Sequence, residues 1–234
     1  MSLLVPGGGL GEAGALLSLL RFVSPSLPIG GYAYSRGLEQ AVHSGAVHDE
    51  ASASDWIVGL LSHVSAQLDG PIFVRLYAAL ERADDAALEH WNARLLASRE
   101  SAELRLEDTQ LGAALARLLA AQGLAVRAQG LSTRGDVCHA TAFALAAWSS
   151  HVPLMAALLG FLWNQAEGQT SAAVRLIPLG QTAGQRLLSR ITAVLPGLAQ
   201  AAAGVEDSAI GALSPGLALA SALHETQYTR LFRS

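Results

Sequence analysis

The chain has 234 residues, of which 51% are hydrophobic and only 15% charged, against about 25% charged in an ordinary soluble domain. That length suits one domain with a substantial core, and the sparse charge leaves apolar surface over for partners. A net charge of −4 without a basic, aromatic-studded stripe excludes a nucleic-acid footprint; the single cysteine, Cys138, excludes an internal disulfide and fits a reducing cytoplasm; and the lack of any lysine excludes a Walker A nucleotide site.

Residues 1–14 are rich in glycine and carry no positively charged leader, so they read as a flexible N-terminal segment and not as a secretory signal. Pro25 and Pro28 bend the next stretch, and Gly30-Gly31 lets it turn tightly before a helix. Ile57, Leu61, Val64 and Leu68 fall at i, i+4, i+7 and i+11, one face of a helix. Asp69-Gly70-Pro71 places a proline at a first helical turn. Leu104, Leu111, Leu115 and Leu118 share a second face, which Gly123 closes as a helix stop. Residues 125–136 mix glycines with polar side chains and predict a loop. The longest apolar run, residues 152–163, is shorter than the ~18–20 residues of a membrane span. Thr182 with Gln185 predicts a capping box, and Leu187, Ile191 and Val194 mark a third face. Gly180 and Gly184, four apart, permit close helix packing. Residues 201–215 predict a weaker helix ending at the turn Ser214-Pro215-Gly216, and a last helix follows over 217–224. Period-two alternation is nearly absent. The expected architecture is all-α, a single-domain bundle of roughly eight to ten helices over residues 15–223, with 224–234 as a C-terminal docking tail.

Chemistry-bearing residues are few. Glu39 and His43 are spaced i, i+4, with His48, Asp49 and Glu50 close behind; together they offer a small helical metal-binding enzyme using Glu39, His43 and His48. A solvated helix end accounts for the same residues, and no H-E-x-x-H pattern supports the metal. Cys138 and His139 are adjacent, so a helix points them about 100° apart; a buried thiol beside a polar histidine fits them better. His224-Glu225 reads as a tail contact before a metal stop. Ser35 lacks a nucleophile elbow. Tyr32 and Tyr34, on alternate positions of one turn, point apart, which puts one inside and offers the other as an interface anchor. At the other end, Tyr228, Arg230, Leu231 and Phe232 set apolar anchors among charge. A freely solvated terminus has no need of them, so the tail docks on its own core or on a partner.

Three segments resemble one family. Residues 24–41, from Ser24-Pro25-Ser26-Leu27-Pro28 through Gly30-Gly31-Tyr32-Ala33-Tyr34-Ser35 to Gly37-Leu38-Glu39, are similar to the N-terminal pattern of the urease accessory UreF family. Pro178-Leu179-Gly180-Gln181-Thr182 resembles its later motif, and His224 to Ser234 its closing signature. Glu103-Leu104-Arg105 with Gln110-Leu111-Gly112 matches its mid-chain helix. Arg36 and Ala33 depart from the usual residues of the first motif. The resemblance implies a non-catalytic, cofactor-free, homodimeric maturation chaperone. It implies binding to UreD (also called UreH) and to the GTPase UreG, whose cycle is regulated as nickel is inserted into the urease apoprotein. Tyr32, Tyr34, Tyr228, Arg230, Leu231 and Phe232 are the expected partner-binding residues.

Overall fold

Side-chain caps fix where several helices begin. Asp49 accepts from the Ser52 amide, and the Ser52 hydroxyl oxygen accepts in turn from the Asp49 amide, which opens α3 (Glu50–Leu60). Asp84 and Ser101 cap α5 (Asp85–Ala97) and α6 (Ala102–Ala121) through the amides of Ala87 and Leu104. In this computed structural model, residues 10–124 and 136–234 are described. They also contain α1 (Leu10–Phe22), α2 (Leu38–His43), α4 (Gly70–Glu81), α7 (His139–Ser149), α8 (Leu154–Leu176), α9 (Gln181–Ala203) and α10 (Pro215–His224), and no strand among those residues. The all-α expectation therefore holds. α1 begins at Leu10, so residues 10–14 of the expected flexible segment are helical. Residues 1–9 and the expected loop up to residue 135 lie outside the described residues.

α7 sits at the centre. Ala140 and the run from Ala142 to Ala147 are all but inaccessible to solvent, as expected of a helix apolar on every side. Its alanines let α1, α4, α6 and α8 approach closely. Around it Phe73 stacks on Phe161 at 5.1 Å, and Phe22 and Phe143 meet edge to face at 6.3 Å. At roughly 1.5–3 kcal/mol for each large apolar side chain fully buried, this cluster is the main source of stability. Ile57, Leu61, Val64 and Leu68 share one buried face as predicted.

Pro71 lies in the first turn of α4 as expected, but α4 continues the preceding helix and does not begin a new one. Residues Glu50–Glu81 form one continuous helix, with a π-helical stretch Leu61–Asp69 between α3 and α4. Proline has no amide hydrogen and its ring crowds the preceding turn, so the wider winding relieves the clash. The Gln67 carbonyl, left without Pro71 as donor, accepts from the Gly211 amide at 3.1 Å. This is the described helix long and apolar enough to cross a membrane, and 61% of its apolar window is buried inside the fold, as in a core helix. α9 likewise departs from expectation. Gly180 precedes it without a side-chain cap, so Thr182 and Gln185 make no capping box. Its buried row runs Leu187, Ile191, Leu195, Ala199, leaving Val194 partly exposed. Gly184 does allow close packing, since a Cβ there would meet Val174 at 2.9 Å, whereas a Cβ at Gly180 would meet nothing within 4 Å. Residues 204–214 hold only the short 3-10 turn Asp207–Ala209 in place of the expected weak helix.

Candidate partner interface

The N-terminal loop and the tail, far apart in sequence, form one structure. After the 3-10 turn Gly31–Ala33 the chain extends at Tyr34, then turns through Arg36 at φ 50° and Gly37 at φ 77°. Gly37 is needed twice over: its φ is left-handed, and a Cβ would lie 3.2 Å from Ala220 and 3.3 Å from the Ser221 amide on α10. The extended segment pairs with the end of the tail. The Arg233 amide donates to the Ala33 carbonyl at 2.8 Å, and the Ser35 amide to the Ser234 carbonyl at 2.6 Å, a bond the Ser35 hydroxyl doubles. Gln169 on α8 donates to the Ser35 carbonyl at 2.7 Å.

Tyr32 and Tyr34 point apart as the alternation predicts. Tyr34 is buried and its hydroxyl donates to Gln110; burial raises its pKa. Tyr32 is 73% exposed. The tail behaves the same way. Phe232 is buried among Leu38, Ala41, Ala172 and Leu187, with the Arg175 guanidinium 4.6 Å above its ring. Tyr228, Arg230 and Leu231 stay outside. Two expected partner anchors, Tyr34 and Phe232, are thus committed to this chain's own core, because the tail supplies the donors that their surroundings require.

Glu39 is the hub of that attachment. Its buried carboxylate accepts from the amides of Leu231 at 2.6 Å and Phe232 at 2.8 Å and lies 3.1 Å from Nε2 of His224. His224 is fully buried, and its Nδ1 is 2.8 Å from Glu103. Glu103 also pairs with Arg230 at 2.9 Å. Glu225 accepts from the Ala102 amide at 3.1 Å, so His224-Glu225 is a tail contact. The Ser234 hydroxyl donates to Glu107 at 2.8 Å. Charge-assisted bonds of this kind are the strong ones. The same geometry separates the residues of the metal reading. Glu39 faces inward, while His43 and His48 are exposed and His48 turns to the Gly45 carbonyl and Asp49. No group of three such residues placed to hold a metal ion occurs among the described residues.

Beneath the loop lies a second ionic centre. Arg99 bridges Asp69 and Asp108, each at 2.8 Å, with all three side chains enclosed. Arg36 approaches Asp69 at 3.8 Å and Glu107 at 3.5 Å. Burial alone would lower the pKa of Arg99, but Asp108 and Asp69 more than offset it and hold it above its ordinary value. Burial likewise opposes the charge of Asp108, yet Arg99 and the His139 amide, 2.7 Å away, keep it below the usual carboxylate range. Glu107 goes the other way: burial outweighs Arg36 and pushes it up. Burial holds His139 down at about 4, hence neutral, and raises the Cys138 thiol well above its ordinary value. α6 and the start of α7 can meet here only because residue 112 is glycine; a Cβ would lie 2.0 Å from the Val137 carbonyl. A cavity of about 110 Å³ opens above these groups, under Pro25 and Leu27. The arrangement holds helices and tail together.

Comparison with known proteins decides the family. The UreF profile matches residues 47–192. A protein of Brucella anthropi called urease accessory protein UreF 2 is 47% identical over 219 residues, covering 94% of this chain and 96% of the relative. The urease accessory protein UreF of Janthinobacterium sp. (strain Marseille) is 45% identical, covering 95% and 100% respectively, and that of Marinobacter nauticus 43%, covering 98% and 96%. The chain belongs to the UreF family of urease accessory proteins. Within this UreF-family chain, both the loop and the tail lie outside the profile's span. Arg99, Asp108 and Glu107 carry no motif signal in the sequence, Asp69 reads there only as part of a helix start, and Glu39 reads as a solvated helix end or, with His43 and His48, as a weakly supported metal ligand. The one available signal was local: Asp69 and Glu107-Asp108 are acids beside apolar helical runs.

Proposed function

We propose that the protein is a non-catalytic chaperone of urease maturation, a cytoplasmic homodimer that bridges UreD/UreH and the GTPase UreG, regulates the GTPase and so promotes nickel insertion into apo-urease. Membership of the UreF family supports urease maturation. The observation that carries the partner reading is the joined loop and tail. Their backbones are tied to each other and to α2, α6 and α8. Tyr32, Tyr228, Arg230 and Leu231 project from that rigid base. Rigid aromatic and arginine side chains are the usual anchors of an interface, since little entropy is lost in docking them. The apolar face of α1, with Leu16, Leu17 and Leu20 each more than half exposed, supports self-association.

The test is co-purification of the full chain with UreD and then with UreG, alongside urease activation. Tyr32→Ala and Arg230→Ala are expected to keep the UreD complex and lose UreG. Recruitment of UreG unchanged in both variants refutes the assignment. Arg230→Ala also breaks the pair with Glu103, so Tyr32→Ala, which removes only exposed surface, is the deciding variant.

A further inference from the structure

Behind Tyr32, on the side away from the ionic centre, runs a groove of about 490 Å³ between the loop, α6 and the end of the tail. Its floor is formed by Ala113 and Ala114 and its walls by Tyr32 and Leu106, the latter 52% exposed. Arg117 and Arg233 stand over it, both exposed. Arg233 lies close enough to Tyr34 to oppose the effect of burial on its pKa, and neither arginine pairs with a carboxylate among the described residues. Among the described residues no carboxylate lines the groove, although the chain as a whole carries a net charge of −4. Elsewhere in the fold, arginines such as Arg75, Arg99, Arg186 and Arg190 are matched by acids. Two unmatched guanidinium groups beside an exposed tyrosine and leucine form a surface with defined complementarity. Each planar fork of donors suits a carboxylate, and the apolar walls suit an aliphatic or aromatic side chain between them.

We propose that this groove docks an acidic segment of a partner protein, one that presents carboxylates to Arg117 and Arg233 and lays an apolar side chain between Tyr32 and Leu106. Charge complementarity fixes the sign of the occupant, and it makes association faster and more sensitive to salt than an apolar contact would. The inference shares Tyr32 with the partner surface above but requires neither accessory protein.

The experiment uses the full chain and two fluorescein-labelled peptides, followed by fluorescence anisotropy. One alternates glutamate pairs with leucine; the other carries lysine at every glutamate. The acidic peptide is expected to bind and to weaken as ionic strength rises. Arg117→Glu/Arg233→Glu should bind it at least about tenfold more weakly, and Arg117→Glu alone should show part of the loss without touching the Tyr34 contact. Arg82→Glu, an exposed arginine at the end of α4, should bind as the unaltered chain does. Three results overturn the proposal: equal binding of both peptides, undiminished binding by the double variant, or no binding of the acidic peptide at about millimolar concentration. Each leaves the UreG pull-down to stand or fall by itself, so the two readings fail separately.

Discussion

Asp69, Arg99 and Asp108 are sealed between α4, α6 and the α5–α6 junction, all donated by parts of the helical core. Glu39, His224, Glu103 and Arg230 use similar chemistry at the rim, but there two of the four groups belong to the last helix and the tail. The first set closes on itself, with one guanidinium shared by two carboxylates. The second holds a segment without helix or strand, and Arg230 remains partly in solvent. Buried ion pairs contribute little net stability but are costly to break. A network within the core therefore ties helices whose separation means unfolding. The same network at the rim ties a tail whose separation need not, and it fixes the posture of the exposed side chains beside it.

Breaking the enclosed set should have the largest effect. Arg99→Ala leaves Asp69 and Asp108 buried without their cation and should destabilise the protein by about 3–5 kcal/mol, read as a lower midpoint in urea. A change below about 1 kcal/mol would mean that water or Arg36 replaces the guanidinium, and the contrast between the two networks would fail.

The acid side tests the same centre by titration. His139 has a folded pKa near 4 against 6.5 ordinarily, so between those values the unfolded chain binds more protons than the folded one. Stability contributed by the neutral ring is intact above pH 6.5 and is lost as pH falls towards 4, by up to about 3 kcal/mol at one pKa shift per 1.36 kcal/mol. His139→Gln should flatten that part of the stability-against-pH curve. An unchanged slope would remove His139 from the account.

At the rim the effect should be smaller and local. Glu39→Gln keeps shape but weakens the bonds to two amides and His224, at about 1.5–3 kcal/mol for hydrogen bonds to a charged group. Hydrogen exchange at Leu231 and Phe232 should accelerate while the midpoint of α7 amides barely moves. If tail and core amides accelerate together, the tail is one cooperative unit with the bundle and the distinction drawn here disappears. Smallest of all, Tyr32→Ala should shift global stability by less than about 0.5 kcal/mol and act only on partner capture. A clear loss of Tm would return Tyr32 to a packing role.

Legibility in the sequence followed the range of the interactions. The face of Ile57, Leu61, Val64 and Leu68 was readable because helical spacing is local, and so was the stop at Gly123, whose φ is 66°. Tyr32 and Tyr34 were separable because alternate residues of an extended turn must diverge. Pro71 was readable only in part because the usual start signal resembles a proline inside a helix; only the Gly211 amide waiting for the Gln67 carbonyl distinguishes them. The role of Glu39 was not readable because its sequence neighbours, His43 among them, suggest only a solvated helix end, while its partners, His224 and the amides of Leu231 and Phe232, lie at the other end of the chain.

By itself, then, the sequence determined the helical class, the main buried faces, the family and the fact that the tail docks, since each depends on residue type and short spacing. Only the tertiary structure decided that the tail docks on α2, α6 and α8, that Phe232 and Tyr34 turn inward while Tyr32 and Leu231 stay out, and that Arg99 closes the core. Those outcomes depend on which carboxylate meets which donor across nearly two hundred residues (Ser35 and Ser234 are 199 apart), and burial selects that pairing only after the helices have packed.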